Sequence, residues 1–170
     1  MAELSRDVSM MEGGRVEFKG GFFTIPESTK AKTYDITFAC LKAIAAFWNT
    51  DGGRLYLGVS DDDTIAGLGK DYSTFRKETN QDGYRRAMMD RVDNEFSEGR
   101  IMSPMLEVSM IMTEGKEVCR IDVPRGKDPA YLRANKNGLQ VKKFFVRWDG
   151  SSQDLNDDVE AIAKYIRNRF

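Results

Sequence analysis

The chain contains no histidine. That absence removes Ser-His-Asp and Cys-His nucleophile machinery, histidine general bases and most zinc sites. Any hydrolytic chemistry must then rest on carboxylates, on lysine, or on a hard metal held by oxygen. Cysteine is scarce too. Cys40 and Cys119 each sit in an apolar context and read as small core residues, not as a disulfide. No apolar run approaches the ~20 residues of a membrane span, so no membrane partner is expected. The start, MAELSRDVSMMEGG, has early acids and no signal-peptide core, which points to the cytoplasm. An excess of either charge is missing as well: 26 basic residues face 27 acidic ones, for a net charge of −1. Such a chain does not coat DNA by bulk charge; to bind nucleic acid it must gather its basic residues on one face.

What is present fits one soluble domain over residues 1–170, with residues 1–11 as a flexible leader. Of the 170 residues, 41% are hydrophobic and 31% charged, an ordinary globular mixture. RVEFK reads as a first strand, because Val16 and Phe18 alternate with Glu17 and Lys19. A polar loop around Pro26 follows. Residues 35–49, DITFACLKAIAAFWN, are apolar nearly all round, as a buried central helix requires. Gly52 and Gly53 end it with a positive-φ turn into the strand RLYLGVS, where Leu55, Leu57 and Val59 share a face.

A short TIAGL strand and a long loop lead to a helix at about 82–98, with Tyr84, Met88, Val92 and Phe96 as its seam and Gly99 as its stop. MLEVSMIM and EVCRIDVP form a hairpin through the turn TEGK. FFVRW is a further strand. NDDVEAIAKYIRNRF closes the chain as an amphipathic helix whose early acids and late basics suit its dipole. The order β-α-β-β-α-β-β-β-α describes an α+β fold: a mixed sheet, a buried central helix and two further amphipathic helices.

Two acidic stretches carry chemistry. On a strand, Glu17 and Lys19 project to one face. A carboxylate beside an ammonium can hold a divalent metal and stabilise charge building on phosphorus, although such a pair also occurs as simple surface decoration. Glu12 precedes a glycine pair that could fold it back to the same point. Asp61, Asp62 and Asp63 follow the second strand, where they serve equally as a turn. Hard oxygen ligands of this type suit Mg²⁺ or Mn²⁺.

These segments together resemble a known family. ExxxxExK at Glu12, Glu17 and Lys19, then AFWNTDGGRLYLGVSDD, IAGL and FFVRWDGSS before a final helix, are similar to the Schlafen-type AlbA-like domain, from about residue 12 to the C-terminus. The segment Ala46–Leu68 is the most specific part, and FxVRxGxSS is a second marker. The resemblance implies an α+β fold and an RNA or DNA partner. In Schlafen proteins it implies a metal-dependent endoribonuclease acting on structured RNA such as tRNA through three carboxylates. Two of these fall on Glu12 and Glu17. Many relatives place the third directly after Gly-Val, where this chain has Ser60, so the role passes to Asp61, with Asp62 as a substitute; on a continuing strand Ser60 and Asp61 take opposite faces. The Schlafen core pairs two such lobes in a clamp; a single lobe matches that by forming a homodimer.

The later basic residues Lys127, Arg133, Lys136, Lys142, Lys143 and Arg147 offer a grip on phosphates, with Ser151 and Ser152 adding amides and hydroxyls. On the expectation that Val146 and Trp148 look inward, Arg147 projects with Phe145 onto an open face. Phe144, Phe145, Trp148 and Trp48 could stack on bases, but their spacing fits core packing better. Three functions follow from these features: a metal-dependent nuclease, a non-catalytic nucleic-acid-binding regulator, or a protein-interaction module.

Overall fold

The computed structural model describes residues 13–23, 33–60, 64–75, 80–136 and 138–170. Glu12, the aspartates 61–63, the leader and the Pro26 loop lie outside the described residues.

Strand β1 (Val16–Lys19) pairs in parallel with β2 (Gly53–Leu57), and helix α1 (Thr33–Asn49) crosses between them. β2 pairs antiparallel with β4 (Lys116–Val123), and β4 with β3 (Glu107–Thr113). The mixed sheet therefore runs β1-β2-β4-β3. Helices α2 (Gly69–Ser73), α3 (Gln81–Glu95) and α4 (Gly99–Met102) lie between β2 and β3 in the chain. After β4 come two antiparallel hairpins, β5 (Leu132–Lys136) with β6 (Leu139–Lys143), and β7 (Phe145–Trp148) with β8 (Ser151–Asp154). Helix α5 (Val159–Arg169) ends the chain, capped by Asp158.

Helix α1 is buried on nearly all sides because the sheet, α3 and β7 surround it. Leu41, Ile44, Phe47 and Trp48 pack in one cluster with Leu55, Leu57, Cys119, Ile121, Met88, Val92 and Phe145. Both cysteines are free and buried. Burial pushes the Cys119 thiol up to about 12 and the Cys40 thiol further still.

A buried carboxylate pins the end of β1 to this core. Asp71 accepts from the Phe22 amide at 2.6 Å, the Phe23 amide at 3.2 Å and the Tyr84 hydroxyl at 2.9 Å. Three donors satisfy a group that would otherwise be costly to bury.

Several expectations are corrected. Val59 does not share the face of Leu55 and Leu57. β2 ends at Leu57, and Gly58 takes φ 95°, a conformation open to glycine, which sends Val59 to the opposite face with Phe18, Tyr56 and Val118. TIAGL contributes one bridge, Val59 to Ile65, and no strand. The seam Tyr84, Met88, Val92 and Phe96 is fully buried, but the helix stops at Glu95, because Phe96 turns extended to bridge Leu132. Gly99 opens α4, so close to α3 that a Cβ there would collide with the Val92 carbonyl. Strands β5, β6 and β8 add to the expected set; β8 is polar throughout, while β5 and β6 carry only a short alternation, Leu132 and Ala134 before the turn and Leu139 and Val141 after it.

Candidate functional site

The site forms where β1 meets the β7–β8 hairpin. The hairpin is seated by the end of α1. Asn49 is fully buried; its amide donates to the Ala130 carbonyl at 2.9 Å and the Phe145 carbonyl at 3.0 Å, and accepts from the Ala130 amide at 2.8 Å. Thr50 Oγ1 accepts from the Arg147 amide at 2.8 Å. Helix α5 braces the same corner: Tyr165 donates to the Asn49 carbonyl, and Arg169 Nε to the Thr50 carbonyl, both at 2.9 Å. Two separated sequence motifs, FWNT and FVRW, thus join through the backbone of β7.

Seated this way, Arg147 points inward. Its side chain is 2% exposed and its guanidinium lies 5.0 Å from the Phe47 ring centre. It donates to Glu17 Oε2 at 2.5 Å, to the Gly13 carbonyl at 2.9 Å, to the Val16 carbonyl at 3.2 Å and to Ser152 Oγ at 3.4 Å. Lys19 Nζ holds the other Glu17 oxygen at 2.6 Å. Arg147 therefore does not project onto an open face; Phe145 and Val146 are buried with it, and Trp148 is the exposed one. Val146 is buried as expected, but Phe145, Arg147 and Trp148 take the opposite of their expected places, because the hairpin lays Phe145 and Arg147 against α1.

The structure thus brings Glu17, Lys19, Arg147 and Ser152 together. Lys127 and Lys142 stay exposed on their own segments. Arg133 donates to the Asn94 and Phe96 carbonyls, both at 2.7 Å, and so closes the end of α3. Lys143 pairs with Asp154 at 2.6 Å. Burial works against that carboxylate's charge, but hydrogen bonds from Lys143 and Asn156 outweigh it and hold Asp154 below the usual range. Ser151 sits exposed at the hairpin tip, and the Lys136 side chain lies outside the described residues.

Glu12 and Asp61 are also outside, but their chain neighbours approach β1. The Gly13 amide donates to the Val16 carbonyl at 3.2 Å. Beyond β2, the Gly58 and Val59 amides donate to the Lys19 carbonyl at 2.8 and 3.2 Å. Because β2 ends at Leu57 and kinks at Gly58, strand alternation does not decide which way Ser60 and its successor face.

Among the described residues no three Asp, Glu, Cys or His side chains converge as metal ligands. The cluster holds one carboxylate, with both oxygens engaged, between two cations. By itself that set does not fit a divalent cation, which would sit against Arg147 and Lys19. Glu17, Lys19 and Arg147 together carry one net positive charge, with the Arg147 end buried and its terminal nitrogens engaged.

Asn49, Thr50 and Phe47 are site residues that the sequence reading does not pick out. The available signal is a polar pair ending an otherwise apolar helix, which a buried helix end must satisfy. A groove of about 660 Å³ on the other side of the sheet, lined by Arg15, Arg54, Arg120 and Arg125, also lies outside the expectations. Asp122 lies between Arg54 Nε at 3.1 Å and Arg120 Nε at 2.7 Å, and Asp51 faces Arg125 at 3.4 Å. Ion pairs inside the groove offset much of its charge.

Fold and site together define an α+β domain that carries a largely buried ionic cluster beside a buried helix end. The family model for Schlafen, AlbA_2 matches residues 12–156, and the chain belongs to that family. No curated protein matches the sequence. Among solved structures, the DIP2311 protein from Corynebacterium diphtheriae aligns with TM-score 0.55 and 19% identity, covering 99% of this chain and 28% of that one. This chain therefore spans little more than a quarter of that protein. The N-terminal domain of a putative ATP-dependent DNA helicase RecG-related protein, from Nitrosomonas europaea, aligns with TM-score 0.49 and 20% identity, covering 88% of each. The first likeness agrees in fold with the family assignment.

Proposed function

We propose that this domain binds the phosphodiester backbone of RNA or DNA at the cluster of Glu17, Lys19, Arg147 and Ser152. The observation that carries this reading is the Glu17 carboxylate held between two cations, 2.6 Å from Lys19 and 2.5 Å from Arg147. Buried Arg147 and part-buried Glu17 hold Lys19, 24% exposed, in place, so a phosphate meets a cation that is already oriented. Exposed Lys127 and Lys142 would add looser contacts along the strand. Membership of the Schlafen, AlbA_2 family supports the same reading.

The test is binding of a labelled single-stranded RNA at increasing salt. Two or three phosphate contacts predict that log K falls with log salt at a slope of roughly −1.5 to −2 on a single strand. Binding with no salt dependence would overturn the reading in favour of a protein-interaction module.

A second reading, cleavage, is favoured by the backbone bonds that bring Gly13 and the Gly58–Val59 turn to the ends of β1. Glu12, Glu17 and Asp61 would then supply hard oxygen ligands for Mg²⁺ or Mn²⁺, a Lewis-acid source of activated water. Metal-dependent cutting of tRNA, lost in Glu17→Gln at a temperature where the variant is still folded, is the expected result. Intact RNA after incubation of wild type with Mn²⁺ leaves binding as the function.

A further inference from the structure

Among the described residues only two aromatics are exposed, Trp148 at 70% and Phe170 at 38%. The other tryptophan, Trp48, is 3% exposed and donates to the Asp128 carbonyl at 2.8 Å. A single exposed apolar side chain is ordinary, so what matters is where this one stands.

Trp148 ends β7 at the tip of the β7–β8 hairpin, paired with Ser151 across the ladder, while its neighbour Arg147 pairs with Ser152. The turn between them has two left-handed residues, Asp149 at φ 47° and Gly150 at φ 74°. Turns of this kind match the twist of the strands and make a stiff hairpin. One face of the hairpin is fixed by buried Phe145 and by the Arg147–Glu17 pair. Trp148 is thus carried on a backbone that cannot readily fold it away.

Its surroundings are polar. Gln153 donates to Ser151 Oγ at 2.6 Å, and Ser151 Oγ donates to the Trp148 carbonyl at 3.1 Å. The tip also lies beside the ionic cluster: a Cβ placed on Gly150 would be 3.8 Å from Gly13, whose carbonyl accepts from Arg147. A stiff, solvated indole at the tip of a hairpin rooted on the Glu17–Lys19–Arg147 cluster offers one of the two chemistries a nucleotide requires, an aromatic face on which a base can stack.

We infer that Trp148 is a stacking platform for an unpaired base, and that the site is selective for single-stranded nucleic acid. The inference rests on the nucleic-acid reading above and adds the form of the ligand. A base inside a duplex has both faces covered by its neighbours and cannot lie flat on the indole.

The experiment compares wild type, Trp148→Ala and Trp148→Phe on a labelled single strand long enough to span the domain and on its blunt duplex, at one fixed salt concentration. The fold should not respond to either substitution, which equal melting temperatures would establish. The expected result is tighter binding of the single strand, quenching of tryptophan emission that disappears in the variants, and a loss of about tenfold in single-strand affinity for Trp148→Ala. Trp148→Phe should fall between the two, and duplex affinity should stay put. Equal affinities of wild type and Trp148→Ala for the single strand would overturn the inference and leave backbone binding intact. Equal losses on single strand and duplex would also overturn it. Failure of wild type to bind either form would remove both readings together.

Discussion

The hairpins β5–β6 and β7–β8 follow each other in the chain, the first with several basic residues and the second with Arg147 alone. They differ in what lies beneath them. β6 has no fully buried residue, whereas β7 has three in succession, Phe145, Val146 and Arg147, packed on α1. In β7 the cation is fixed by the core and meets a carboxylate; in β6 Lys142 is left in water. The first hairpin carries four basic residues, Arg133, Lys136, Lys142 and Lys143, and the second only Arg147, so charge count does not pick out the site; burial separates oriented charge from mobile charge. An oriented donor binds with less entropy to lose, while a solvated lysine contributes mainly long-range attraction.

The sharpest way to break this contrast is to remove the buried cation. Arg147→Ala leaves Glu17 facing Lys19 alone and opens a cavity over Phe47. It should cost about 3 kcal/mol of unfolding free energy, read from urea melts, and weaken nucleic-acid binding as well. Arg147→Lys should recover only part, because an ammonium cannot reach Glu17, Gly13 and Val16 at once.

Next comes the seat of the hairpin. Asn49→Ala strips three hydrogen bonds from the buried Ala130 and Phe145 backbone and should cost about 2–3 kcal/mol. Single-strand affinity should fall with it if the cluster is placed by β7.

A smaller effect tests the link between the hairpins. Asp154, held low by Lys143, contributes stability that is present above its unfolded value and is lost as pH falls through the folded one. Lys143→Ala should flatten that acid limb by a few tenths of a kcal/mol, as expected for a partly exposed pair. The smallest effect belongs to the loose hairpin. Lys142→Ala should leave stability within about 0.5 kcal/mol of wild type. If Lys142 touches the backbone, the salt slope should become shallower by about 0.7 on a single strand.

Much of the fold is legible without the structure. The apolar continuity of residues 35–49 announces a buried helix, and helix α1 has that character. The four-residue seam from Tyr84 to Phe96 and the TEGK hairpin are also readable, since local periodicity carries them. Strand β8 is polar throughout and nothing marks it, whereas β5 and β6 carry a brief alternation, Leu132, Ala134, Leu139 and Val141. An Asn-Gly pair at residues 137–138 is the turn signal available there. In the site, Glu17 and Lys19 are readable as a same-face pair. Asn49 and Thr50 are not, because their importance lies in a backbone nearly a hundred residues away.

By itself, the sequence determined the main helices and the strands of the central sheet, the absence of histidine chemistry and the motifs that mark the family. Those depend on local spacing and composition. Only the tertiary structure decided that Arg147 meets Glu17 across 130 residues, and that Trp148 rather than Arg147 faces water. Alternation says that neighbouring side chains take opposite faces of a strand. Which face is covered depends on the element that packs against it, and here that element is the end of α1.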